Sequence, residues 1–248
     1  MKTNEQRCLL ANGCKVAGTA QCNDNCSHFI AIHGRSGNGG RVAAAGTPAD
    51  YRLLTLANSP ARESQAKVYR VIADYVATFE RQFEADAPRI KSLYLYSESP
   101  GTGKTTTASM VLNEWIRRHY IGSLKRNQQP LQVPAYFLDI NEWQTEYNLA
   151  TMTNDDSAMA KIKATIQRTQ QTPFLVIDDV GVRSASEAFR SYVHAIINHR
   201  TANGLPTVYT SNLPIEDMAR VFDARLYDRM RDQCAFLEFG GESKRGRR

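Results

Sequence analysis

The sequence predicts a three-layer α/β sandwich around a five-stranded parallel sheet, with a small cysteine-rich module in front of it. Five short runs carry the sheet: SLYLY (92–96), PAYFLDI (134–140), PFLVID (173–178), PTVYTS (206–211) and CAFLEF (234–239). They are rich in β-branched and aromatic residues, as strands covered on both faces are. Apolar residues at helical spacings of three and four separate them, the alternation expected of a doubly wound fold. A glycine-rich loop, SESPGTGKTT, follows the first run directly. That is where open α/β sheets bind ligands.

The chain has 248 residues, 42% hydrophobic and 23% charged, a composition that excludes collagen, coiled coil and wholesale disorder. No stretch reaches the roughly 20 apolar residues of a membrane span, and Lys2, Glu5, Arg7 and Lys15 interrupt the N-terminus. A cytoplasmic protein without a membrane partner is expected. The formal charge of +6 favours an anionic partner, with nucleic acid first among them.

Each element has its own local reason. Residues 1–34 hold Cys8, Cys14, Cys22 and Cys26, too little apolar sequence for a core and no export signal, so the four thiols predict tetrahedral zinc rather than disulfides. The spacings x5, x7 and x3 depart from the usual CxxC pair, and His28 and His33 are alternative ligands, His33 being more simply read as packed. Residues 35–59 lack periodicity and read as a linker, with the glycine-rich GRSGNGGR (34–41) across its start. Ser59 and Pro60 look like the N-cap and first residue of an amphipathic helix carrying Val68, Val71, Ile72, Tyr75, Val76, Phe79 and Phe83, ending near Pro88. Further helices are predicted around Ala108–Ile116, Met159–Ile166 and Phe189–Ile197, the last stopping at Asn203-Gly204. Residues 60–240 thus form the main domain and 241–248 a basic tail.

The loop after the first strand is a phosphate cradle. Pro100 opens the turn, and Gly101, Thr102, Gly103, Lys104, Thr105 and Thr106 supply backbone N–H groups at a helix N-terminus, where the helix dipole adds positive charge. Lys104 would reach the β- and γ-phosphates of ATP and the Thr105 hydroxyl would ligate Mg²⁺. Glu98 stands where the full G-x-x-x-x-G-K-[ST] pattern has its first glycine. The third strand ends in Asp178 and Asp179: the first would hold Mg²⁺, and the second would orient or deprotonate the attacking water.

Taken together, PGTGKTT, LVIDDVG, YTSNLP (209–214) and RLYDRMRD (225–232) resemble the AAA+ ATPases, specifically helicase loaders of the DnaC and DnaI type, with the transposition helper IstB as kin. The resemblance covers roughly 60–240. It implies that Asn212 is a polar sensor of the γ-phosphate and that Arg229, or more weakly Arg225, is an arginine finger acting on a neighbouring subunit. It implies an ATPase that self-associates into a spiral or ring and loads a DnaB-type replicative helicase onto single-stranded DNA in replication. The Asp-Asp pair and the missing C-terminal lid look like DnaI-type variants. The cysteine-bearing N-terminus resembles the segment that grips the helicase in such loaders. For DNA contact the candidates are Lys161, Lys163 and Arg168, with Trp143 and Tyr147 before them. Two other readings stay open: an IstB-like transposition helper, and a nucleotide-binding adaptor with negligible hydrolysis.

Overall fold

The structure is a computed structural model that describes residues 3–181 and 185–243. The basic KRGRR end of the chain lies outside the described residues. Five parallel strands, β1 (Ser92–Tyr96), β2 (Ala135–Asp139), β3 (Phe174–Asp178), β4 (Thr207–Ser211) and β5 (Cys234–Glu238), form one sheet in the order β2-β3-β4-β1-β5. Each lies within a residue of its expected place, because short apolar runs between turn signals leave little choice of register.

Helices cover both faces. One layer contains α3 (Ala66–Ala77) and α4 (Lys104–Lys125), whose Val68, Ile72, Met110, Val111, Trp115 and Ile116 join Leu93, Leu95, Phe174 and Val208 in one apolar cluster. The other contains α5 (Ile140–Thr153), α6 (Asp156–Gln171), α7 (Glu187–Ala202), α8 (Met218–Val221) and α9 (Ala224–Gln233), packed on Leu175, Ile177, Tyr94 and Tyr209. Successive strand residues point to opposite faces, so a single apolar run feeds both clusters. Buried Arg200 ties the strand starts together, its guanidinium donating to the Thr169, Thr172 and Pro206 carbonyls and to the Thr207 hydroxyl. No helix among the described residues is long and apolar enough to cross a membrane.

Three stretches differ from their sequence reading. The helix expected from Pro60 begins at Ala66. Ser59 spends its hydroxyl on Tyr69 instead of a cap, and the intervening turns bring Ala61 against the phosphate loop. The single helix expected over Met159–Ile166 is preceded by a separate one, α5, because Asn154 turns into the left-handed region (φ 49°) and Asp155 caps α6 by accepting from the Ser157 and Ala158 N–H groups.

The stretch 35–59, read as a linker, carries α2 (Gly40–Ala44) and a 3-10 turn at Ala49–Tyr51. Arg41 is buried there and donates to the carbonyls of Ala31, Pro130 and Leu131. Gly40 (φ 64°) lets α2 pass so close to α1 (Ser27–His33) that a Cβ would sit 2.4 Å from the Ile32 backbone. Leu9, Leu10, Ile32, Val42 and Ala45 belong to the same apolar cluster as α4. Residues 3–45 thus lean on the main core rather than forming one.

Candidate functional site

Parallel strands end together, so the C-terminal edge of the sheet collects the residues that follow β1, β3 and β4. There a cavity of ≈ 1010 Å³ is lined by Pro100–Thr106, Asp178, Asp179 and Asn212. Gly101 and Gly103 adopt positive φ (74° and 104°), which curls the loop's N–H groups inward ahead of α4. A Cβ on Gly103 would lie 2.8 Å from that of Ala61. Lys104 is 6% exposed; its ammonium donates to Asn212 Oδ1 at 2.6 Å and to the carbonyls of Ser97 and Ser99 at 3.4 and 3.3 Å.

The acidic pair is divided by its surroundings. Asp178 is buried and accepts from the Thr210 hydroxyl (Oδ1, 2.6 Å) and the Thr105 hydroxyl (Oδ2, 3.1 Å). Burial pushes its carboxyl up to about 7, against the lowering effect of the Thr210 hydrogen bond, and the Asp179 charge pushes the same way as burial. A divalent cation at Thr105 and Asp178 would favour the anion. Asp179 takes the left-handed conformation (φ 59°), which turns its carboxylate outward to accept from Asn141 Nδ2 at 3.1 Å. Its own N–H donates to the Thr210 hydroxyl at 2.9 Å.

Thr210 therefore links both aspartates through one hydroxyl, and sequence reasoning passed over it. Its signal was the YTSN run, in which only Asn212 was singled out. Glu98 is exposed and lines an adjacent groove with Tyr96, Asn141 and Asp217 instead of the phosphate cavity. Its side chain accordingly leaves the cradle free.

The remaining candidates lie elsewhere. Arg229 does not line the cavity: it is half-buried on α9 and donates to Asn198 Oδ1 on α7, while Arg225 is exposed one turn earlier. Trp143 and Tyr147, expected to stack on DNA, are 2% and 8% exposed and pack on Phe189 at ring separations of 4.9 and 5.5 Å. Their aromatic faces are spent in the core. Arg168 donates to the Ala44 carbonyl at 2.6 Å and covers the Tyr136 ring, whereas Lys161 and Lys163 are exposed.

Cys8, Cys14, Cys22 and Cys26 are free thiols around one cavity of ≈ 260 Å³, joined there by His28, Tyr120 and Leu124. Burial pushes the Cys8 thiol up, and the other three cysteines add to the effect. The donors are of the soft kind zinc prefers. Even so, among the described residues no three histidine, cysteine or acidic side chains form a compact metal-holding group, so the expected zinc centre is not shown. His33 is occupied: its Nε2 accepts from the Leu9 N–H at 2.9 Å. His28 is the histidine at the thiol cavity, with Nδ1 2.9 Å from the Tyr120 hydroxyl.

Residues 142–248 match the IstB-like ATP binding protein family. Among curated proteins, the replicative helicase loader DnaI of Bacillus subtilis is 23% identical over 73% of this chain and 55% of its own length. The replicative helicase loader DnaC of Escherichia coli is 24% identical over 62% of this chain and 56% of its own. The crystal structure of the DnaC helicase loader superposes with a TM-score of 0.54 at 20% identity, over 78% of this chain and all of that one. The resemblance to DnaC/DnaI-type AAA+ loaders, with IstB as kin, holds. The chain shares the α/β fold of the solved loader. It spans little more than half the length of the curated relatives it matches.

Proposed function

We propose that the chain is an ATP-dependent loader that places a DnaB-type replicative helicase on single-stranded DNA, with Mg-ATP held and hydrolysed between adjacent copies. The observation that carries the nucleotide site is the convergence of Lys104, Thr105, Asp178 and Thr210 at the mouth of a glycine-turned helix N-terminus. In this reading the loop N–H groups and Lys104 take the β- and γ-phosphates, and Thr105 with Asp178 holds the cation. What magnesium supplies there is neutralisation of charge on the phosphoryl oxygens. Asp179, aimed outward, orients or deprotonates the water, and Asn212 moves from Lys104 to the γ-phosphate side. Arg229 exchanges Asn198 for the nucleotide of the next copy, which makes hydrolysis dependent on assembly.

The helicase reading rests on likeness to proteins whose names describe that role, and on the N-terminal residues 1–34 as the gripping module, with 60–240 as the ATPase. The four thiols are proposed to close on Zn²⁺ with His28 beside them. Lys161 and Lys163 remain as DNA-facing charges. The test is a loading assay with the full chain, a DnaB-type helicase, circular single-stranded DNA and Mg-ATP. Lys104→Ala should abolish nucleotide uptake and loading together. Asp179→Asn should keep uptake and lose hydrolysis by about 100-fold or more. Loading that survives Lys104→Ala at full rate refutes the proposal; stimulation of a transposase without any helicase binding would favour the IstB-like reading instead.

A further inference from the structure

The cavity at the sheet edge is larger than a phosphate cradle, and its remaining wall comes from a part of the chain with no nucleotide motif. Besides the loop and the acids, it is lined by Pro48, Tyr51, Pro60, Ala61 and Phe137. Four of these five belong to the stretch between the cysteine module and α3. We propose that Tyr51 is a nucleotide-binding residue whose ring carries the base, and that residues 48–61 form the nucleoside wall of the site. This rests on the Mg-ATP reading of the loop given above.

Polar chemistry is concentrated at one part of the cavity, where Lys104, Asp178, Asp179 and Asn212 meet the loop N–H groups. A phosphate chain anchored there leaves the base to lie along the apolar lining, since a flat, weakly hydrated ring gains most by stacking. Two aromatic rings are available. Phe137 is 5% exposed and committed to the main core, so it has little face to offer. Tyr51 is half-buried, with surface turned to the cavity.

The backbone explains why this ring keeps its place. Asn113, fully buried on α4, donates through Nδ2 to the carbonyls of Tyr51 at 2.7 Å and Leu54 at 2.9 Å. Next to it, Glu114 Oε1 accepts from the Leu56 N–H at 3.2 Å. The helix whose first turn holds the phosphates therefore also fixes the strap that carries Tyr51. One rigid element sets the distance between the two halves of the ligand site.

The experiment compares binding of Mg-ATP and of inorganic magnesium triphosphate to the full chain, in the native form and as Tyr51→Ala and Tyr51→Phe. The tie to Asn113 uses the Tyr51 carbonyl, so both variants keep it, and triphosphate binding reports that the cradle is intact. Tyr51→Ala should weaken Mg-ATP about tenfold, the scale of one base stacked on one ring, with triphosphate affinity unchanged within about twofold. Tyr51→Phe should bind both like the native chain. Equal loss for both ligands, or no loss for Mg-ATP in Tyr51→Ala, overturns the assignment. If the native chain binds triphosphate and ATP equally, the base contributes nothing and the assignment also falls. If the native chain binds neither, the nucleotide site itself is refuted.

Discussion

At the residue scale, one hydroxyl does the work of joining two carboxylates that sequence reading treated separately. Thr210 donates to Asp178 Oδ1 and accepts from the Asp179 N–H, which holds the buried acid toward Thr105 and the other toward solvent. Thr210→Val keeps the shape and removes both bonds, leaving a buried carboxylate oxygen short of a partner. At pH 8, where Asp178 with its value near 7 is mostly ionised, the variant should unfold about 1–3 kcal/mol more easily in urea without ligand. Unchanged midpoints would remove Thr210 from this role. That Lys104, Thr105, Asp178 and Asn212 meet at one cavity was legible because their spacing to strand ends is local. Thr210 was not, since its value depends on β4 lying between β3 and β1.

Among the elements, strands were read most accurately and caps least. A five-residue apolar run admits one register, whereas Ser59-Pro60 offers a good helix start that the chain declines. Gln65 instead donates through Nε2 to the carbonyls of Thr102 and Gly240, so the turn before α3 joins the loop to the strand end beyond β5. The aromatic residues Trp143 and Tyr147 were misassigned for a related reason: α5 lies on the sheet, and its apolar side is core. The cysteine segment belongs to this scale as well. Cys26 precedes α1 and the other thiols sit in successive turns, so metal would substitute for missing helix and strand. Purified chain should carry about one zinc per copy by elemental analysis, the stoichiometry of a four-thiolate site. Cys22→Ser should lose it, and metal-free native protein would sink the proposal.

For the whole molecule, the notable feature is how residues 3–45 are held. They share the main apolar cluster; Arg41 reaches out of them to the Pro130 and Leu131 carbonyls, and Arg117 and Tyr120 reach in from α4. His33 is the acid-sensitive part of that contact. Burial, with Arg7 and Arg52 nearby, lowers its imidazole to about 4, and its Nε2 must stay unprotonated to accept from Leu9. The unfolded chain binds a proton near 6.5 and the folded one does not until about 4. Stability is therefore full above 6.5 and falls as pH drops toward 4, by about 1.4 kcal/mol per unit for this group. His119, lowered to about 4 by burial and by Arg41, acts in the same direction. Asp178, raised to about 7, opposes them over the same range, so the test compares thermal melts of the native chain and of His33→Gln from pH 7 to pH 5: the native chain should lose more stability, and equal losses would refute the role of His33.

The sequence alone determined the fold class, the strand positions, the meeting of the glycine-rich loop with Asp178 and Asp179 at one cavity, and the likeness to loaders. All of these depend on residues close together in the chain, where turn geometry, apolar period and a helix N-terminus act over a few residues. Only the tertiary structure decided that Thr210 serves both acids, that residues of the expected linker line the cavity at the sheet edge, and that the cysteine segment rests on α4. Those facts come from the order of strands and from Asn113, Gln65 and Arg41 reaching across tens of residues to backbone carbonyls, contacts that no local pattern encodes.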